Sequence, residues 1–222
     1  MNISKKDLAR MIDHTLLAST ATQEQITILC EEGREYGFAS VCVNSCWVSL
    51  CRSLLEHGEV TVCSVVGFPL GAMATPAKAY EAGRAVEDGA NEIDMVMNVG
   101  KFLSGTPEDL IYVKNDIQAV VEAASGNLVK VILETGHLSD EQVVTACRIA
   151  QEAGAHFVKT STGFGPPFEM KHILLMRKTV GDAMGVKAAG GIRTYEKAVE
   201  VVQAGASRIG ASAGVAIVKG AA

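Results

Sequence analysis

Short runs of β-branched and small apolar residues alternate along this chain with longer segments whose apolar positions recur every three or four residues. These are the periods of buried strands and of amphipathic helices. The strand-like runs are Ile12-Asp13-His14-Thr15, Ser40-Val41-Cys42, Thr61 to Val66, Glu92-Ile93-Asp94, Leu128 to Leu133, Phe157-Val158-Lys159, Val186-Lys187-Ala188 and Arg208-Ile209-Gly210. Helical spacing fits at about 22–36, 46–57, 76–88, 107–124, 139–153, 169–180, 194–204 and 212–218, with a further N-terminal helix at 4–11. Thr75-Pro76, Thr106-Pro107 and Ser139-Asp140-Glu141-Gln142 read as helix starts, each offering a capping oxygen next to a first-turn proline or carboxylate.

One local pattern recurs and sets the phase. A polar helix end, a glycine, usually an alanine and then a β-prone run appear around Gly37, Gly89, Gly154 and Gly205. Glycine accepts the left-handed conformation that ends a helix, so each is a helix end feeding a strand. The glycines lie about 50–65 residues apart, room for two strand-helix units in each interval. Eight strands alternating with eight helices predict an α/β fold, a (β/α)8 TIM barrel with an extra N-terminal helix, as a single domain over 1–222. An open doubly wound sheet would use the same alternation, because periodicity does not reveal closure.

The phase also predicts a geometry. Five residues beyond the four glycines stand Cys42, Asp94, Lys159 and Gly210, all on even-numbered strands and of one parity. In a barrel, one interior layer takes its four side chains from alternate strands, so these four should share the uppermost layer, the floor of the site at the C-terminal ends of the strands.

Composition narrows the function. The chain has 222 residues, is 48% hydrophobic and carries a formal charge of -5, with Lys and Arg scattered, so nucleic acid and anionic membrane are disfavoured as partners. The N-terminus runs into a charged helix, and the longest uncharged run, Val60 to Ala77, is interrupted by Gly67, Pro69, Gly71 and Pro76, so neither a signal peptide nor a membrane span is expected. Six cysteines without a CxxC pair read as free thiols of a soluble cytoplasmic protein. No zinc-site spacing occurs among Cys42, Cys46 and Cys51, and the histidines form no HExxH or HxxEH pair, so neither metal nor cofactor is expected.

A lysine ending an apolar strand invites a chemical explanation, and Lys159 does so with Lys187 on the neighbouring strand. Adjacent strands lie about 4.8 Å apart, so two inward ammonium groups at similar height repel in a partly dry pocket, and one is expected to lose its proton and become a nucleophilic amine. Asp94 supplies a carboxylate, as a salt bridge to these lysines, as a proton acceptor and donor, or both. Lys130 on strand five must be accommodated as well. Gly190-Gly191-Ile192-Arg193-Thr194 and Gly210-Ala211-Ser212-Ala213-Gly214 follow strands seven and eight and open helices, where free N–H groups and the dipole favour a phosphate. Gly163, Gly190, Gly191 and Ser212 are the phosphate-binding candidates, and Arg193 is either a ligand or a solvated residue. Gly210 to Gly214 also spells the G-x-S-x-G of serine hydrolases, but neither an acid nor a histidine follows Ser212, as that mechanism requires.

With these residues placed, the chain resembles the deoxyribose-phosphate aldolase family, metal-independent class I aldolases. The likeness is carried by Ile12 to Leu17, Ser40 to Asn44, Val65 to Gly71, Glu92 to Val96, Val131 to Thr135, Phe157 to Phe164, Val186 to Arg193 and Arg208 to Ser212. It implies Lys159 as the Schiff-base lysine, Lys187 as its perturbing and proton-transferring neighbour, Asp94 as the relay acid, and Gly163, Gly190, Gly191 and Ser212 as the phosphate pocket. The implied reaction is reversible cleavage of 2-deoxy-D-ribose 5-phosphate to D-glyceraldehyde 3-phosphate and acetaldehyde, by a homo-oligomer (dimer or tetramer) that degrades deoxyribose phosphates. Another phosphate-binding barrel, a sugar-phosphate isomerase or a synthase, would share the glycine loops without needing two interior lysines. Ser45, Ala18-Ser19 and Gly165-Pro166-Pro167-Phe168 depart from the common pattern, and Lys219-Gly220-Ala221-Ala222 lacks the terminal tyrosine that some members carry. Cys42, if in the top layer, is either open to modification by free aldehyde or an inert buried thiol.

Overall fold

Eight parallel strands close on themselves in sequence order: β1 (Ile12–Leu16), β2 (Ser40–Val43), β3 (Thr61–Val66), β4 (Glu92–Val96), β5 (Leu128–Ile132), β6 (Phe157–Lys159), β7 (Gly185–Ala189) and β8 (Arg208–Ala211), with β8 pairing back to β1. The computed structural model describes residues 3–221. Closure decides the choice periodicity left open: the sheet is a TIM barrel and not an open doubly wound sheet. Around it run α1 (Lys5–Ala9), the extra N-terminal helix, then α2 (Gln23–Tyr36), α3 (Val48–Leu54), α4 (Thr75–Glu87), α5 (Val99–Ser104), α6 (Pro107–Ala123), α7 (Asp140–Glu152), α8 (Met170–Val180), α9 (Tyr195–Gln203) and α10 (Gly214–Lys219).

Most helix ends follow their local chemistry. Thr22 with Gln25 and Ser139 with Gln142 form reciprocal capping boxes, and the Thr106 hydroxyl accepts from the Asp109 N–H. Gly37 takes the left-handed conformation at φ 65°, and Gly89, Gly154 and Gly205 also have positive φ, so each punctuates a helix before the next strand as the repeat requires. Three details differ from the sequence reading. Thr75 lies inside α4 and does not cap it; its hydroxyl donates to Asp116 instead. The segment expected as one helix over 46–57 is a 3₁₀ turn, Ser45–Trp47, followed by a helix that ends at Leu54. The six-residue helix α5 has no counterpart in the sequence pattern, because it is too short to show a period; Asn98 caps it and left-handed Gly105 ends it.

The apolar core lies between the sheet and the helices. Val41, Ile93, Val131, Val158, Val186 and Ile209 alternate along the strands with the polar inward positions, and all are fully buried. A second buried feature clamps the helical layer. Lys78 Nζ donates to Asp116 Oδ2 at 2.6 Å and to the Val96 carbonyl at 2.9 Å, tying α4 and α6 to the end of β4. Removing one partner leaves a charge stranded in the interior. Asp116→Ala is therefore expected to lower the unfolding free energy by about 3–5 kcal/mol, measured by urea denaturation. A loss below about 1 kcal/mol would show that water reaches Lys78.

Candidate active site

The barrel interior is built of charges. Counting inward positions along each strand gives Ser40 and Cys42 on β2, Glu92 and Asp94 on β4, Phe157 and Lys159 on β6, and Arg208 and Gly210 on β8; between them the odd strands contribute Asp13, Cys63, Lys130 and Lys187. The expected layer of Cys42, Asp94, Lys159 and Gly210 thus stands above a second polar layer. The missing side chain of Gly210 has a reason: a Cβ there would lie 3.0 Å from Lys187 Cε, so the lysine stem occupies that space.

Asp94 is the hub. Its Oδ2 takes Lys159 Nζ at 2.7 Å and Lys187 Nζ at 2.6 Å, while its Oδ1 takes Lys130 Nζ at 2.8 Å and the Cys63 thiol at 3.2 Å. Deeper in the barrel, Lys130 pairs with Glu92 at 2.5 Å, and Lys187 pairs with Asp13. Arg208 bonds Asp13 at 2.6 Å and Glu92 at 3.2 Å, and its guanidinium lies 5.7 Å from the centre of the Phe157 ring. The Ser40 hydroxyl donates to Asp13. Four cationic side chains thus face three carboxylates, and release of one proton brings the cluster to neutrality.

The charge states of the partners follow from these contacts. Burial pushes the Asp94 carboxyl up, but Lys130, Lys159 and Lys187 together hold it well below the usual carboxylate range. Burial pushes Lys187 down, yet Asp13 and Asp94 outweigh it and keep this lysine above its ordinary value; Lys130 is likewise held well above its own, against its burial, by Asp94, Cys63, Asp13 and Glu92. This corrects the picture of two lysines in simple repulsion. Lys187 is a fixed cation clamped by two carboxylates, because Asp13 offsets a charge that pairwise reasoning left exposed.

Depressed carboxyls have a pH signature. Asp94 and Asp13 both titrate below an unfolded aspartate; for Asp13, burial pushes the carboxyl up, and Lys187, Lys130 and Arg208 overcome it. Such groups contribute stability that is fully present above the unfolded value near pH 4 and is lost as pH falls through the folded value. Urea-unfolding free energy is expected to hold from pH 7 to about 5 and to fall steeply below about 4, the unfolded chain taking up the protons. Rising stability over that acid range would contradict the assignment.

Only Lys159 of the three barrel lysines also reaches the cavity. It is 3% exposed, against 0% for Lys130 and Lys187. The cavity holds about 350 Å³ at the C-terminal face and is lined by Lys159, Gly163, Gly190, Gly191, Arg193 and Ser212, among others. All four phosphate candidates therefore meet above the lysine, and Arg193 joins them. Gly190 is required twice over: its φ is 102°, and a Cβ would lie 2.5 Å from Ser161 Oγ. A larger cleft of about 620 Å³ at the other end of the barrel is lined by Lys6, Arg10, Arg34 and Tyr36, remote from this chemistry. Cys42 is fully buried beside Cys63 and Asp94 in the layer expected for it, with donor atoms within 4.8 Å, but the ammonium groups around Asp94 oppose any added cation there.

Asp13, Glu92 and Arg208 do not stand out in the sequence. A signal is present, since each lies two residues from an identified interior position or pairs with one, but a charge at a strand start reads as solvated until closure encloses it.

The barrel and its sequence have counterparts among known proteins. The model of the DeoC/LacD family aldolases matches residues 8–220. The chain belongs to the DeoC/LacD aldolase family. Among relatives in this family, the deoxyribose-phosphate aldolase of Caldanaerobacter subterraneus subsp. tengcongensis is 55% identical over 220 residues, covering 97% of this chain and 94% of the relative. A putative deoxyribose-phosphate aldolase from Coccidioides immitis superposes with a TM-score of 0.94 at 43% identity, covering 99% of this chain and 87% of the other. The deoxyribose phosphate aldolase of Aeropyrum pernix, described as having a unique tetrameric structure, gives 0.89 at 36% identity, covering 97% and 91%.

Proposed function

We propose that this aldolase reversibly cleaves 2-deoxy-D-ribose 5-phosphate to D-glyceraldehyde 3-phosphate and acetaldehyde through a Schiff base on Lys159. The observation that carries the proposal is that Lys159 alone joins the charged interior to the cavity. It touches Asp94 at 2.7 Å on one side and lines the substrate space on the other. Deoxyribose-phosphate aldolase is also the name of the 55% identical relative.

Each group then has a role. Asp94 Oδ2 accepts the proton that Lys159 gives up, and the free amine attacks C1 of the open-chain aldehyde to form a carbinolamine. The protonated Asp94, held against Lys187, returns the proton to the hydroxyl, which expels water and leaves a protonated imine. Asp94, now ionised again, takes the C3 hydroxyl proton as the C2–C3 bond breaks, whose electrons enter the imine to give an enamine and release D-glyceraldehyde 3-phosphate, and that proton is then available for C2. Protonation at C2 and hydrolysis then free acetaldehyde and the lysine. Lys187 stays cationic and gives the developing charges a fixed counterpart. The N–H groups of Gly163, Gly190 and Gly191 and the Ser212 hydroxyl hold the phosphate, so that binding energy remote from the reaction aligns C1 with the amine.

No helix among the described residues is long and apolar enough to cross a membrane. A cytoplasmic homo-oligomer, dimer or tetramer, completes the proposal, with the tetrameric Aeropyrum pernix relative as its support.

Borohydride reduction in the presence of acetaldehyde, followed by peptide mass mapping, should find a two-carbon adduct on Lys159. An adduct elsewhere, or none beside measurable turnover, would move the reading to a phosphate-binding isomerase or synthase.

A further inference from the structure

Glu134 is one of two non-glycine residues with positive φ among the described residues, at φ 54° and ψ 55°. Such a conformation is costly for a side chain with a Cβ and persists where surrounding contacts over-determine it. It stands just beyond β5, at the same face of the barrel as the cavity, and it is buried. Its carboxylate is directed at a single residue. Oε1 and Oε2 accept from the Thr162 N–H at 3.1 and 3.3 Å, and Oε2 also accepts from the Thr162 hydroxyl at 2.5 Å. The same hydroxyl oxygen accepts from the Phe164 N–H at 3.0 Å. On the far side, a Cβ on Gly165 would lie 3.1 Å from the Glu134 carboxyl carbon, so the chain closes around the carboxylate from both ends. The next turn continues the support, since a Cβ on Gly136 would lie 2.7 Å from the Pro166 carbonyl.

We propose that Glu134 is a positioning residue for the phosphate end of the substrate, acting through Thr162 to shape the turn that carries Gly163. A carboxylate this close to a phosphate pocket is electrostatically unfavourable for the ligand, so its presence calls for a compensating use. That use is selective satisfaction of donors. The N–H groups of Thr162 and Phe164 are taken by Glu134 and by the Thr162 hydroxyl, and Gly163, at φ 84° and lining the cavity, is left with an N–H that these groups do not claim. Glu134 also draws its negative charge into the two Thr162 donors and away from the space above Lys159. The proposal rests on the reading of this cavity as a phosphorylated-sugar site.

The test separates phosphate recognition from the amine chemistry. Glu134→Gln removes one acceptor and the charge, and Glu134→Gly removes the carboxylate while relieving the left-handed strain. In both, KM for 2-deoxy-D-ribose 5-phosphate and the inhibition constant of inorganic phosphate are expected to rise together by about tenfold or more, the scale of a charge-assisted hydrogen bond. Reductive trapping of Lys159 by acetaldehyde should change by less than about twofold. Thr162→Val, which leaves the carboxylate but removes the bridging hydroxyl, should show the same split and keeps the test open if the Glu134 variants do not fold. Unchanged phosphate inhibition in the folded variants, recovery of wild-type KM in Glu134→Gly, or equal losses in trapping and in KM would overturn the proposal. Failure of the wild-type protein to form the Lys159 adduct would instead overturn the underlying aldolase reading.

Discussion

Lys159→Leu is expected to lower cleavage of 2-deoxy-D-ribose 5-phosphate by at least about 10⁴-fold and to abolish the borohydride-stable adduct, because the proposed Schiff-base route needs an amine at the cavity and Lys159 is the one amine among the described residues that line it. Lys187 and Lys130 are near in distance but not in access. Both are wholly buried and held as ammonium ions by carboxylates on more than one side. The fold should survive, for a reason found in the charge count: the cluster holds one more cation than carboxylates, so loss of Lys159 leaves Asp94 with Lys130 and Lys187 still bound to it. Steady-state cleavage, adduct mapping and urea denaturation on the same preparation check all three statements. Residual turnover within about a hundredfold of wild type, or an adduct transferred to Lys187, would show that the amine at the cavity is not the one that reacts.

Asp94→Asn should be damaging in two ways at once. The amide cannot take the Lys159 proton or return it to the carbinolamine hydroxyl, which predicts a fall in kcat of about 10² to 10⁴-fold. It also removes the one carboxylate among the described residues in contact with Lys159 and one of two major partners of Lys187, leaving buried cations less compensated, which predicts a stability loss of about 3–5 kcal/mol. The stability loss should shrink in Asp94→Asn combined with Lys159→Leu, since the double variant strands one cation fewer. Kinetics at saturating substrate and denaturation at pH 7 separate the two effects. A variant with nearly full kcat would remove Asp94 from proton transfer and leave it a structural ion pair alone.

The fold is legible because it is written locally. The cap glycines Gly37, Gly89, Gly154 and Gly205 each impose a backbone conformation within a few residues, and their spacing carries the strand-helix alternation without reference to the rest of the chain. The same phase puts Cys42, Asp94, Lys159 and Gly210 on even strands with one parity. Shorter elements escape: α5 offers only six residues, and Thr75 has the composition of a cap yet spends its hydroxyl on Asp116, a partner 41 positions away.

The site is legible in part. Lys159, Lys187 and Asp94 can be named because charges within apolar strands are costly and therefore conspicuous. Glu134 gives no such sign, since a glutamate after a strand is unremarkable until its left-handed backbone and its hold on Thr162 are seen.

What the sequence determined alone was the order and phase of elements, the parity of the interior positions and the identity of the candidate reactive groups, all set by period and by backbone preference over short distances. What tertiary structure decided was charge and access. Closure of β8 on β1 encloses Asp13, Glu92 and Arg208 with the lysines, which turns Lys187 from a repelling neighbour into a clamped cation. It also leaves Lys159 as the one barrel lysine that meets the cavity. Coulomb interactions depend on separation and on exclusion of water, and neither quantity exists until strands distant in the chain are brought face to face.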